Sequence, residues 1–127
     1  MANLANTLRA QGDLPGARAL QETTLATRRR VLGEEHPDTL TAMANLASTF
    51  SAQGDLLGAR ALQEPTLATR RRVLGEEHPD TTVAAWNLLN TLDQAGDSAA
   101  AAAVFQAHLA WLLERDPAQL PSADQRT

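Results

Sequence analysis

Apolar residues recur along the chain at helical spacing, and turn-forming residues punctuate them at fixed places. Met43, Leu46, Ala47 and Phe50 fall at i, i+3, i+4 and i+7, the stripe of one helix face. Ala59, Leu62, Thr66, Leu67, Val73 and Leu74 continue such a face further on. Between the two runs, Gly54 ends the first and Asp55 is placed to cap the second. His36-Pro37-Asp38 stands ahead of the first run: Pro suits an opening helical turn and Asp its positive end. Gly75 closes the second run, where the chain must leave the helix with positive φ. The pattern predicts helix, tight turn, helix, loop.

That unit is repeated. Residues 1–42 align with 43–84 without gaps and are identical at 35 of 42 positions; the differences fall at Asn6, Leu8, Arg9, Pro15, Thr23, Leu40 and Thr41. A third, diverged copy begins at Ala85 and keeps Asn87, Leu88, Thr91, Gly96, Asp97, Ala101, Ala103, Leu109 and Ala110 in register. The chain therefore divides into units 1–42, 43–84 and 85–116, with a short tail over 117–127. A two-helix unit of this size cannot bury its apolar faces alone and must stack on its neighbours.

The string Val73-Leu74-Gly75-Glu76-Glu77-His78-Pro79-Asp80-Thr81, together with Asn45-Leu46-Ala47, Gly54-Asp55, Ala59-Arg60, Leu67-Ala68 and Arg70, resembles the tetratricopeptide repeat. More narrowly, it resembles the 42-residue variant of kinesin light chains and of many bacterial sensor proteins. The resemblance spans residues 1–116. It implies an all-α, right-handed α-solenoid of three helical hairpins, about six helices, with a concave groove that binds an extended peptide or a partner helix. The chain departs from the family at Gln21 and Gln63, where an aromatic is usual in the second helix, and at Leu8, Phe50 and Leu92, where Tyr is usual in the first.

Composition narrows the function. Ala is abundant at 25 of 127 residues, and there is no Lys, Tyr or Cys. No thiolate nucleophile, disulfide framework or Cys-type zinc site is therefore available, and three His residues leave little for a metal cage. The formal charge of −4 argues against a general nucleic-acid binder. No apolar run approaches the ~20 residues that span a bilayer, and a basic-then-apolar leader is not visible. The expectation is a cytoplasmic, non-catalytic protein-binding scaffold without cofactor or metal. High Ala and Arg without Lys suits a GC-rich bacterial source. The alternatives are a self-association module and a fragment of a larger bacterial sensor; a hydrolase or phosphotransfer enzyme is disfavoured by the lack of a visible nucleophile–base pair.

Four groups of residues are candidates for function. Asn3, Asn45 and Asn87 form a ladder opposite the apolar stripe of each first helix. Asn6, Ser48 and Asn90 lie three residues on, and Arg9, Ser51 and Trp86 fall near the same surface. The resemblance implies that this face lines the groove, where an amide both donates to and accepts from a peptide unit. The first row equally suits hydrogen bonds that fix one unit against the next. Second, the triplets Arg28-Arg29-Arg30 and Arg70-Arg71-Arg72 splay around a helix and are followed by Glu34-Glu35 and Glu76-Glu77, which reads as solvated ion pairing. Third, His36 and His78 read as helix-start hydrogen-bonding groups and His108 as a packing residue.

The fourth group lies at the end of the array. Phe105, Leu109, Trp111, Leu112 and Leu113 make the helix expected over Ser98–Arg115 apolar on more than one face. The first helix begins at Met1 without a His-Pro-Asp opening. Terminal repeats normally present a polar outer face, so the ends are expected to associate, most simply as a homodimer through the C-terminal helices. Finally, Pro65 stands where the first copy has Thr23 and is expected to kink its helix.

Overall fold

The computed structural model describes residues 2–114; the tail over 117–127 lies outside them. The described residues form α1 (Ala2–Ala10), α2 (Leu14–Leu32), α3 (Pro37–Ala52), α4 (Leu56–Leu74), α5 (Pro79–Gln94) and α6 (Ser98–Val104), then a π-helical segment (Phe105–Leu109) and α7 (Trp111–Glu114). No strand occurs among them. Each long helix packs chiefly on its neighbours in sequence: α1 on α2, α2 on α3, α3 on α4, and so on. The hairpins begin at Pro37 and Pro79, so the period of 42 holds while the boundaries at 42 and 84 fall inside α3 and α5.

Local chemistry sets these ends. The Nδ1 of His36 and of His78 accepts the backbone N–H of Asp38 and Asp80, each at 3.0 Å, capping α3 and α5. Asp13, Asp55 and Asp97 cap the second helices by accepting the N–H three residues on. Gly75 leaves α4 at φ 96°, ψ 158°, a region open essentially to glycine, and its N–H returns to the carbonyl of Arg71.

The core is divided between the junctions. Leu25 of α2 meets Leu40, Met43, Leu46, Ala47 and Phe50 of α3 and Ala59 of α4. Leu67 of α4 joins Ala84, Ala85, Leu88 and Leu92 of α5, Ala101 of α6 and Leu109. Ala17, Ala59 and Ala101 are the same position in the three units and are all buried. Bridges cross the junctions as well. The Arg18 guanidinium lies 4.3 Å from the Phe50 ring centroid, donates to Gln53 Oε1 at 3.3 Å and sits 3.8 Å from Asp55. Arg60 stands 3.9 Å from Asp97 one unit later.

One expectation needs correcting. The final helix is not a single rod over Ser98–Arg115. It is α-helical to Val104 and then widens by one residue per turn, with Ala110 N–H donating to Phe105 carbonyl at 2.8 Å. The indole of Trp111 donates to the carbonyl of His108 at 2.7 Å. Pro65 stands inside α4, which runs through it with the same 19-residue length as α2. Pro65 cannot donate to the carbonyl of Ala61, but both residues face solvent, where water replaces the missing donor.

The apolar end is also smaller than expected. Leu109 is completely buried, and Phe105 and Leu112 pack against the same cluster. Trp111 is half-buried, so Leu113, 77% exposed, is the one large apolar side chain that this end turns fully to solvent among the described residues.

Two substitutions test this packing. Pro65→Thr restores the backbone donor that Thr23 supplies in α2, and thermal melting is expected to show a gain of about 2 kcal/mol. Gly58 is the second case. A Cβ there would lie 2.8 Å from Phe50 Cδ2 and 2.6 Å from Asp55 Oδ2. Gly58→Ala is therefore expected to destabilise by ~1–3 kcal/mol, against helix propensity. The third unit carries Leu92 and Ala100 at the two equivalent positions. Phe50→Leu should accordingly relieve much of the cost, and a double-mutant cycle by urea unfolding measures the coupling.

Candidate functional site

The first helices α3 and α5 bury one face in the core and turn the other outward. Within α3, Leu46, Ala47, Thr49 and Phe50 point inward, while Ser48 is exposed and Asn45 and Ser51 are half-buried. Within α5, Leu88, Thr91 and Leu92 point inward, Asn87 is half-buried and Asn90 is exposed. Because the two helices lie in adjacent units, these outward positions meet across the junction.

Four of the expected groove residues, Ser48, Ser51, Asn87 and Asn90, line one open recess of about 180 Å³. Gln63, Thr91 and Gln94 complete it. No lining residue is charged; all are hydroxyls or amides. Asn45 lies outside this recess, in a small niche with Gln21, Thr24 and Arg28 one junction earlier. The twin niche holds Gln63, Thr66, Arg70 and Asn87. Asn6 is exposed and Arg9 half-buried on α1, and neither lines the recess. The side chain of Asn3 lies outside the described residues. Trp86, 40% exposed, also stands apart from the recess and packs edge-on against Phe105, with ring centroids 6.3 Å apart.

The recess residues that sequence reasoning missed were marked by spacing. Asn87, Asn90, Thr91 and Gln94 fall at i, i+3, i+4 and i+7, a polar stripe written like an apolar one. Gln63 was marked by standing where the family places an aromatic. At the equivalent position in α2, Gln21 is buried, and its Oε1 accepts the Thr49 hydroxyl at 2.6 Å.

A larger cleft of about 590 Å³ lies between α4 and the last helix, lined by Leu67, Leu88, Val104, Arg71, Arg72 and His108 among others. Its charges are matched internally. Glu76 lies 2.5 Å from Arg71 through Oε2, off the hydrogen-bonding axis, and 2.9 Å from His108 Nδ1 through Oε1. Arg72 pairs with Glu35 of the preceding loop. Arg29 pairs with Glu34 at 3.0 Å, and Arg28 donates to the carbonyl of Asp38. Arg28, Arg29, Arg71 and Arg72 of the triplets are thus engaged in ion pairs and loop contacts. Among the described residues no group of three His, Cys, Asp or Glu is placed to hold a metal ion, and no helix is long and apolar enough to cross a membrane.

The tetratricopeptide-repeat family profile matches residues 1–64 and 52–112, which together cover most of the chain. The chain belongs to the tetratricopeptide-repeat family. Its repeats are of the kinesin-light-chain-like subtype. The chain is similar in structure to nearly identical TPR-like repeats from Podosopora anserina, described as a kinesin light chain. Identity is 25% with a TM-score of 0.80, over 98% of this chain and 60% of that one. A single-substitution variant of that protein aligns equally well, at 25% identity and TM-score 0.81 over 98% of this chain and 59% of that one. BtubC (BKLC) from P. vanneervenii shares the fold at 23% identity and TM-score 0.82, over 97% of this chain and 48% of that one. The chain therefore spans between about half and three fifths of these proteins. No curated protein matches it. Tetratricopeptide repeats generally mediate protein–protein interaction, and the fold is typically a non-catalytic scaffold.

The Thr49–Gln21 bond joins the first hairpin to the second. Thr49→Val keeps the shape and leaves Gln21 Oε1 buried without a donor, so the midpoint of urea unfolding is expected to fall by an amount equivalent to ~1–3 kcal/mol.

Proposed function

We propose that this tetratricopeptide array is a non-catalytic, cytoplasmic scaffold that binds an extended segment of a protein partner along the outward faces of α3 and α5. The observation that carries the reading is the recess at their junction, where Ser48, Ser51, Asn87 and Asn90 come together with no charged group among them. An extended peptide presents an N–H and a carbonyl at every residue, and half-exposed amides and hydroxyls answer both. Rigid helices hold these groups at fixed separation, so little side-chain ordering remains to oppose binding. With neither Lys nor Arg in the lining, contacts to a carboxylate tail have no support. No cofactor or metal enters this reading. Self-association through the C-terminal helices is less well supported, because Leu109 is core and Phe105 and Leu112 are already packed.

The test is selection of a random displayed peptide library on the chain, followed by calorimetry of the enriched peptides. Asn87→Ala combined with Asn90→Ala is expected to weaken binding by roughly 1 kcal/mol for each lost hydrogen bond. Unchanged affinity in the double variant, with its helicity intact, would remove the recess from the binding surface.

A further inference from the structure

The two junctions between hairpins share a Gln–Thr pair that is not in the same state at both. Gln21 and Gln63 are equivalent, and so are the threonines that face them, Thr49 and Thr91. At the first junction the Gln21 Oε1 accepts the Thr49 hydroxyl. At the second, Gln63 is 8% exposed and its Oε1 is buried without any hydrogen-bond partner. A buried acceptor left in this condition has lost its hydration and gained nothing in return. Gln63 also lines the recess of about 180 Å³, which has room for about six waters at liquid density.

We propose that the recess is a side-chain subsite that reads a primary amide, the side chain of Asn or Gln, through Gln63. This rests on the peptide-binding reading above and adds to it the chemistry of one bound residue. A primary amide donates to the Gln63 Oε1 and accepts from its Nε2, so the pair closes whichever way the Gln63 amide is turned. Ser51 and Asn90 at the rim supply further donors and acceptors. Charged side chains are refused. An ammonium or carboxylate entering the recess gives up hydration and finds no counter-charge in its lining. Arg70 borders Gln63 on the other side, in the small niche, and is not part of the recess.

The experiment extends the library selection with a parallel selection on Gln63→Leu. Peptides enriched on the wild type are expected to share Asn or Gln at one position. Replacing that residue by Leu should weaken binding to the wild type about tenfold or more, and to Gln63→Leu by under about twofold. Enriched peptides without a common amide position overturn the subsite and leave the groove standing, as does an amide preference that survives Gln63→Leu. Failure to enrich any peptide overturns both readings. A stability measurement decides independently of any peptide. Thr91→Val is expected to leave the melting temperature within about 2 °C, whereas Thr49→Val lowers it several-fold further. Equal losses would mean that Thr91 already satisfies Gln63, and the subsite would fall.

Discussion

Contact between the second helix of one hairpin and the first helix of the next is the interaction on which the rest of this structure depends. Leu25 and Leu67 each project from such a second helix into the apolar stripe of the following unit. Burying one leucine contributes about 1.5–3 kcal/mol, and these residues have no comparable surface to bury against within their own helix. Close approach is possible because Ala17, Ala59 and Ala101 stand where α2, α4 and α6 press on their partners. The polar faces of α3 and α5 are then displayed at a spacing fixed by core packing. The recess is a by-product of that spacing, and its precision is inherited from residues that never touch it.

Most of the architecture was legible because it depends on period and punctuation, both of which a sequence writes explicitly. His36, Asp55, Gly75 and their counterparts each satisfy a backbone demand at a helix end, and such demands have few chemical solutions. What stayed hidden depends on volume and register in three dimensions. Nothing local to Phe105-Gln106-Ala107-His108-Leu109 announces a π-helical turn; Leu109 itself is buried at the position that Leu25 and Leu67 fill in the earlier units.

The site was legible in part for the same reason. Ser48, Ser51, Asn87 and Asn90 were found because they sit opposite an apolar stripe, and a helix has only two broad sides. Asn45 lines the niche beside Gln21, as its counterpart Asn87 lines the niche beside Gln63. Gln63 was visible as an anomaly, an amide in place of an aromatic, but its partnerless state belongs to the pairing of two helices.

The Phe50–Gly58 contact has a bearing on how the chain finds its fold. Residues 1–42 and 43–84 are nearly the same sequence, so a hairpin that docks one unit out of place meets almost native surroundings. Repeat proteins are prone to such misassembly. Size matching limits the degeneracy at the third unit. The ring of Phe50 fits over a residue that lacks a Cβ, and Ala100 at the equivalent place in α6 does not provide that space; Leu92 is the smaller side chain that goes with it. The pairs Phe50–Gly58 and Leu92–Ala100 thus act as keys of different cut. They keep the Phe50 helix from closing on α6, whereas Gly16 of α2 lacks a Cβ as Gly58 does, so the two nearly identical units are not told apart by this contact.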